Sequence, residues 1–138
     1  MFAAIAAAFL SSAMSPDTAL TTGSSAPTIE KTTGGNINLK GEKETVISFW
    51  SPKDPLSRIN NKNNSEKYSD GSVEYISVCI DSDDSLAHEV LHYDGTELNG
   101  NHLLYSDVNS RVFKDYGVEN APKTFHINPQ GKITRISI

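Results

Sequence analysis

The sequence predicts an α/β domain with a mostly parallel or mixed β-sheet that has helices on its faces. Apolar runs with the composition of strands alternate along the chain with segments of helical character. Two of these runs, 45–50 and 73–80, are rich in Val, Ile and aromatic residues, as is typical of central strands that are buried on both faces. A turn containing proline and glycine, at 128–131, separates two further β-prone segments and predicts an antiparallel hairpin.

The elements of the first half follow from local signals. Residues 29–39 carry a Gly34-Gly35 turn between two β-prone pieces, which predicts a short hairpin before the first central strand. The helix after that strand, at 55–68, has few large apolar residues and an Asn-rich middle at 60–64. We therefore expect this helix to be short or frayed, because it has little apolar surface to bury.

The second half of the chain is predicted to continue the alternation. An acidic, serine-containing cluster at 81–85 directly precedes an apolar-periodic helix at 85–93, so it reads as an N-cap and first turn rather than as a calcium loop. A short strand, a further amphipathic helix and two hairpin strands complete the domain, at 102–105, 107–116, 124–127 and 132–138.

The first 23 residues are predicted to precede the folded domain, which covers residues 24–138. The segment Met1–Ser15 has an apolar stretch followed by small residues, which suits a secretory signal peptide, although no Lys or Arg precedes the stretch. This stretch is too short to span a bilayer. Residues 15–28 are rich in Ser, Thr, Pro and Ala and predict a flexible lead-in. We expect an exported protein of the periplasm or cell envelope.

Charge and cysteine content exclude several classes of function. The 138 residues carry a net charge of −5, and the 12 Lys and Arg residues are scattered singly, so no basic stripe is available for nucleic acid. The single cysteine, Cys79, excludes a disulfide within the chain. Because it lies in the apolar run 73–80, we expect it to be a buried core thiol. We expect no cofactor.

A histidine pair in the second predicted helix matches the H-E-x-x-H motif of zinc hydrolases. On a helix, His88 and His92 would lie on one face, and Glu89 could act as the general base. The third-ligand position of the longer metzincin pattern is Leu98, and His102 could contribute only after a rearrangement. We therefore expect a surface helix that carries two histidines, and a zinc hydrolase is the alternative that the motif allows.

The stretch 49–58 joins the first central strand to the following helix through a proline-punctuated turn. Unpaired N–H groups and the positive end of the helix dipole meet at such a junction, which makes it a common place for chemistry in α/β proteins. Several short pieces share their order and spacing with one family: Ala26-Pro27, Asn36-Ile37-Asn38-Leu39, Phe49-Trp50, Tyr116-Gly117-Val118 and Gly131-Lys132-Ile133. On these residues the chain resembles the thioredoxin-like superfamily, specifically the exported TlpA/ResA-type thiol-disulfide oxidoreductases, over about residues 24–138.

The resemblance implies a thioredoxin-like fold, in which a central mixed sheet flanked by helices follows an N-terminal β-hairpin extension. Relatives usually end with a helix packed on the sheet, and no such C-terminal helix is obvious in the residues up to Ile138. One face of the sheet is therefore expected to be underburied, which favours truncation, dimerisation or cover by the N-terminal segment.

The resemblance also implies that the family's dithiol is missing. The two cysteines of the family's Cys-Pro-x-Cys motif correspond to Asp54 and Ser57, whereas Pro55 and Arg58 keep the family's residue types. Neither Asp nor Ser can pass electrons through a disulfide, and Asp54 is expected to be a helix N-cap instead. The family's cis-proline loop, which pairs with extended substrate peptides, corresponds to Pro122.

The resulting hypothesis is a thioredoxin-like domain that is inactive by the dithiol route and acts as a binding or accessory module. Its partner would be an extended peptide or a partner protein, and a homodimer is a further arrangement that we consider. The predicted groove comprises Trp50, Ser51, Pro52, Asp54, Pro55, Ala121 and Pro122. The alternative is an oxidoreductase that uses Cys79 with an external thiol. Peroxidase chemistry is not expected, because peroxiredoxins carry their Cys at the helix start.

Overall fold

A computed structural model describes residues 19–31, 34–80, 84–97, 101–104, 111–118 and 122–137. Its elements, in chain order, are β1 (Ile29–Glu30), β2 (Asn36–Ile37), β3 (Thr45–Trp50), α1 (Pro55–Lys67), β4 (Glu74–Cys79), α2 (Asp84–Tyr93), β5 (Asn101–Leu104), α3 (Arg111–Asp115), β6 (Thr124–Ile127) and β7 (Ile133–Ser137).

Five strands form one mixed sheet in the order β5-β4-β3-β6-β7, with helices on its faces. The central strand β3 is parallel to β4 and antiparallel to β6, and all six of its residues are buried. Strands β6 and β7 form the predicted antiparallel hairpin. Strands β1 and β2 form a separate hairpin around Gly34 and Gly35, whose φ angles are 99° and 77°. The predicted fold class is thus confirmed, down to the N-terminal hairpin.

The larger hydrophobic cluster lies on one face of the sheet. Alternate side chains of the strands point into this cluster: Ile47, Phe49, Ile76, Val78, Phe125 and Ile127. They pack against Val112 and Phe113 of α3 and against the N-terminal hairpin. The ring of Tyr116 lies 5.1 Å from that of Phe49 and 5.0 Å from that of Phe125, measured between centroids. Its hydroxyl donates a hydrogen bond to the carbonyl of Pro27 at 2.6 Å, which ties the lead-in to this core.

The opposite face of the sheet packs against α1 and α2. A smaller hydrophobic cluster joins Trp50 and Cys79 to buried side chains of α2: Ala87, Val90 and Leu91. Beside it, the register sets the buried Ser48 next to Ser77 on one side and Thr124 on the other, so a polar strip crosses three strands. Tyr75, two residues before Ser77 and therefore on the same face, donates a hydrogen bond to Asn61 of α1 at 2.7 Å.

The expectation of a short or frayed first helix is wrong. Helix α1 runs for 13 residues, is N-capped by Asp54 and begins with Pro55, a residue well suited to the first helical position. Its buried residues are Ser57, Asn61 and Ser65, at a spacing of four. Because this buried stripe is polar, apolar periodicity could not reveal it.

Residues 23–26 of the predicted lead-in are hydrogen-bonded to the rest of the domain. The N–H of Gly23 donates to the carbonyl of Ile133 at 2.7 Å, and the N–H of Ile133 donates to the carbonyl of Ser24 at 2.8 Å. The N–H of Ala26 donates to the carbonyl of Gly131 at 2.9 Å. A flexible lead-in through residue 28 is therefore wrong for this stretch, which pairs with the start of β7.

The segment Met1–Ser15 lies outside the described residues, so the signal peptide stays a prediction. In the described ranges, no helix has the length and apolar character needed to cross a membrane.

The sheet shows no exposed apolar face among the described residues. The large hydrophobic side chains that are exposed there all belong to helices: Leu56, Ile59 and Tyr93. On the outer strand β7, the exposed residues are Thr134 and Arg135. The expectation of an underburied apolar face, and of a homodimer that covers it, therefore gains no support from this part of the chain.

Candidate functional site

The hydroxyl of Ser57 closes the turn between β3 and α1. It accepts a hydrogen bond from the N–H of Ser51 at 3.1 Å. Its own proton faces the carbonyl oxygens of Asp54 and Ser51, at 3.2 Å and 3.4 Å. The residue is only 6% exposed, so its side chain holds the turn and does not face solvent.

The carboxylate of Asp54 caps α1, as the sequence predicts. Its backbone is extended, with φ −106° and ψ 107°, and its Oδ2 accepts a hydrogen bond from the N–H of Ser57 at 3.1 Å. Its carbonyl accepts the first helical hydrogen bond, from the N–H of Arg58 at 3.0 Å. The side chains of Asp54 and Ser57, which the resemblance aligns with the family's two cysteines, therefore both hydrogen-bond to the backbone of the turn.

Two residues of the predicted groove are not on the protein surface. Trp50 is completely buried, and its Nε1–H donates a hydrogen bond to the hydroxyl of Ser77 at 2.7 Å. Pro52 is buried as well. Because both side chains are buried, they are not available to a partner. Their assignment to the surface of the predicted groove is therefore wrong. Pro55 is exposed, and Ser51 is partly so.

The register of the sheet brings Pro122 to the same junction. Ser48 pairs with Thr124 across β3 and β6, and the N–H of Phe49 donates to the carbonyl of Lys123 at 2.9 Å. Continuing this antiparallel register by one residue sets Pro122 opposite Trp50. The half-buried Pro122 therefore lies at the same end of the sheet as the turn. Its bond to Ala121 involves a residue outside the described ranges, so the cis geometry and the role of Ala121 stay predictions.

An ion pair next to the junction was not expected from the sequence. Arg58 donates two hydrogen bonds to Asp94, at the end of α2, from Nε at 2.9 Å and from one terminal nitrogen at 2.7 Å. Its guanidinium also lies 5.7 Å from the centre of the Tyr93 ring. The hydrogen bond to Asp94 raises the pKa of Arg58. No local pattern links residues 36 positions apart, although both are polar residues at helix ends.

Cys79 lies where the sequence predicts a core thiol. Its side chain is completely buried at the end of β4, in the smaller hydrophobic cluster with Trp50 and Leu91. It pairs with Trp50 in the sheet register and is not at the start of α1. A thiol in this place has no path to an external disulfide without movement of the surrounding elements.

The H-E-x-x-H residues lie on the surface of α2. His88, Glu89 and His92 are all exposed, which confirms the prediction of a surface helix that carries two histidines. The Nδ1 of His92 is 2.8 Å from Oε1 of Glu97, and this hydrogen bond raises the pKa of His92. The Nε2 of His102 is 2.7 Å from the carbonyl of Thr96. In the described residues, no three His, Cys, Asp or Glu side chains converge to hold a metal ion.

Comparison with solved structures gives a consistent result for the fold. A thioredoxin-like protein from Parabacteroides distasonis superposes with a TM-score of 0.72 at 23% identity, covering 87% of this chain and 89% of that one. The thioredoxin domain of a thiol-disulfide oxidoreductase from Bacteroides vulgatus gives 0.70 at 23% identity, with coverages of 87% and 90%. A thiol:disulfide interchange protein from a Bacteroides species gives 0.66 at 23% identity, with coverages of 85% and 81%.

At these identities, the likeness is one of fold. No protein-family model and no curated protein sequence matches the chain. These neighbours are thiol-disulfide oxidoreductases and related thioredoxin-like proteins, whereas this chain has one cysteine, which lies at the end of β4 and not at the start of α1. The protein therefore has the thioredoxin-like fold, with Asp54 and Ser57 at the strand-to-helix junction.

Proposed function

We propose that this protein is a thioredoxin-like binding or accessory module that works without thiol-disulfide exchange. The observation that carries the proposal is that the Asp54 side chain caps α1, while the Ser57 hydroxyl binds the backbone of the turn. A carboxylate and a hydroxyl cannot form a disulfide, and the buried Cys79 has no second thiol in the chain.

The contact surface in this proposal is the groove between the turn and Pro122. Ser51, Asp54 and Pro55 present accessible surface on one side, and the half-buried Pro122 and Lys123 lie on the other. An extended peptide could pair with the backbone next to Pro122 as an added strand, while its side chains contact the turn. We place the protein in the periplasm or cell envelope, which the composition of Met1–Ser15 supports.

An insulin-reduction assay with dithiothreitol tests the loss of the dithiol reaction. We expect the rate with the wild-type protein to equal the rate with dithiothreitol alone, because no thiolate is available at the start of α1. Clear catalytic turnover by the wild-type protein would contradict the proposal and would favour the route through Cys79.

Site-specific photo-crosslinking in cells tests the binding role. A photoreactive residue at Lys53, in the exposed part of the turn, should form a defined adduct with a partner polypeptide. The same residue at Thr134, which is exposed on β7, is the matched control and should not form that adduct. Equal adducts from both positions, or none from Lys53, would contradict a binding role for the groove.

Metal analysis tests the zinc-hydrolase alternative. Purified protein supplemented with zinc and then dialysed should contain well below one zinc ion per chain, because His88 and His92 have no third ligand nearby in the described residues. Zinc at one equivalent, lost in the His88→Ala variant, would revive this alternative.

A further inference from the structure

Helix α1 is joined to the domain mainly through polar residues. Its three buried residues, Ser57, Asn61 and Ser65, are all polar and lie on one face of the helix. In the described part of the chain, no side chain of α1 belongs to either hydrophobic cluster. Its large apolar residues, Leu56 and Ile59, are 58% and 54% exposed. An ordinary surface helix buries its apolar residues and exposes its polar ones, whereas α1 buries three polar residues and exposes its large apolar ones.

The sheet face beneath α1 also carries buried polar side chains. Ser48 and Ser77 are buried there, and their hydroxyl groups have partners within the sheet. The hydroxyl of Ser48 lies 3.3 Å from that of Thr124, and the hydroxyl of Ser77 accepts a hydrogen bond from the indole N–H of Trp50 at 2.7 Å. The hydroxyl of Ser65 donates to the carbonyl of Lys62, within α1 itself, at 2.9 Å. Several buried polar groups between α1 and the sheet thus have hydrogen-bond partners within the helix itself or within the sheet. They would keep these partners if α1 separated from the sheet.

Specific polar contacts hold α1 in place. Arg58 binds Asp94, the residue that follows α2, through two charge-assisted hydrogen bonds, and Asn61 accepts a hydrogen bond from Tyr75 of β4. Both ends of the helix are turns, one formed by residues 51–54 and one that ends at Gly71, whose φ is 80°. Such turns can absorb backbone rotation while the flanking strands stay fixed.

We propose that α1 opens as a unit, separately from global unfolding, and that the Arg58–Asp94 ion pair is its latch. Separating α1 from the sheet exposes hydroxyl and amide groups that water can solvate, together with limited apolar surface from Val46 and Tyr75. Separating β3 from β4 would expose both hydrophobic clusters. The inference does not depend on the proposed function, but it concerns the element that carries one wall of the groove.

Native-state hydrogen exchange of the wild-type protein tests this opening. Amides at 59–67 should be at least about tenfold less protected than amides at 46–50 and 75–79, and their exchange should depend only weakly on denaturant concentration. Equal protection and equal denaturant dependence in the helix and both strands would overturn the proposal, and this comparison requires no variant.

The latch is tested by the Arg58→Met variant, which keeps a long apolar stem and removes the ion pair. We expect exchange within 59–67 to accelerate about tenfold, with unchanged exchange at 75–79. The matched control is Arg111→Met, which removes the exposed Arg111–Asp115 pair of α3, separated by 3.3 Å, and should leave α1 unchanged. Equal acceleration of α1 and β4 in Arg58→Met, or none in α1, would overturn the role of the pair as a latch.

Discussion

Ser57 shows how a single hydroxyl group can hold a strand-to-helix turn together. Its hydroxyl accepts a hydrogen bond from the N–H of Ser51 and faces two carbonyl oxygens on the partly buried side of the turn. A buried N–H without an acceptor destabilises a fold more than the average hydrogen bond stabilises it. The side chain is thus required by the backbone around it, whatever the protein binds.

Replacing Ser57 by Ala should lower the free energy of unfolding by about 1 to 2 kcal/mol, because the N–H of Ser51 loses its acceptor in a buried turn. Urea denaturation measures the change. The matched control is Ser69→Ala, since Ser69 donates to the carbonyl of Glu66 from an exposed position after the same helix and should cost about 0.5 kcal/mol or less. Equal costs at the two positions would show that Ser57 has no special role in the turn.

The double variant Asp54→Cys/Ser57→Cys should form a disulfide under oxidising conditions. The two positions lie at the N-cap and in the first turn of α1, where Oδ2 of Asp54 is 3.1 Å from the backbone nitrogen of Ser57, and a thiol at the start of α1 should have a depressed pKa. We expect measurable insulin reduction by this variant and none by Asp54→Cys alone. If the oxidised double variant retains three free thiols, the junction does not preserve dithiol geometry.

A partly buried histidine makes stability depend on pH. Burial and the charge of Arg135 lower the pKa of His126, although Glu44 acts in the opposite direction and Lys67 adds to the lowering. Because the folded state binds a proton less readily than the unfolded state, whose His pKa is near 6.5, stability should fall as the pH drops below about 6.5 and level off below the folded pKa.

The His126→Gln variant should lose less stability than the wild-type protein between pH 7 and pH 5, as measured by urea denaturation at several pH values. His92→Gln is the control with the opposite sign, because Glu97 raises the pKa of His92 and protonation there favours the folded state. A wild-type slope that His126→Gln leaves unchanged would assign the pH dependence to other groups.

At the scale of elements, α1 and α2 differ in what they bury. Helix α2 places Ala87, Val90 and Leu91 against Trp50 and Cys79, as its apolar periodicity predicts. Helix α1 buries serine and asparagine, so its length depends on the cap at Asp54 and on the sheet beneath it. The sequence predicts the start of α1 correctly, but it also predicts a short or frayed helix, which is wrong. The sheet that α1 packs on is formed by residues far along the chain, and local sequence does not show this packing.

Truncating apolar residues should therefore affect the two helices differently. The double variant Leu56→Ser/Ile59→Ser should change the free energy of unfolding by about 1 kcal/mol or less, because both side chains are more than half exposed. Leu91→Ala in α2 should cost about 2 to 4 kcal/mol, because it leaves a cavity beside Trp50. A large loss in the α1 variant would mean that these side chains make contacts that their exposure does not show.

At the scale of the whole molecule, the accessibility of Cys79 to a thiol reagent separates the proposed binding module from its redox alternative. In the folded protein, this thiol should react with a thiol reagent such as dithionitrobenzoate at least about a hundredfold more slowly than in urea, because reaction requires opening of the core. Reaction at the unfolded rate in native buffer would contradict the buried thiol and would restore the oxidoreductase that uses Cys79.

The amino-acid sequence by itself determined the fold class, the buried central strand, both hairpins and the missing dithiol. Those features depend on local composition, on turn residues and on the presence of a single cysteine, all of which are readable along the chain. Tertiary structure alone decided the polar burial of α1, the Arg58–Asp94 pair and the pairing of residues 23–26 with the start of β7. It also removed Trp50 and Pro52 from the accessible groove. These features join residues that are distant in sequence, and local periodicity contains no information about which distant groups will satisfy a buried hydroxyl, amide or charge.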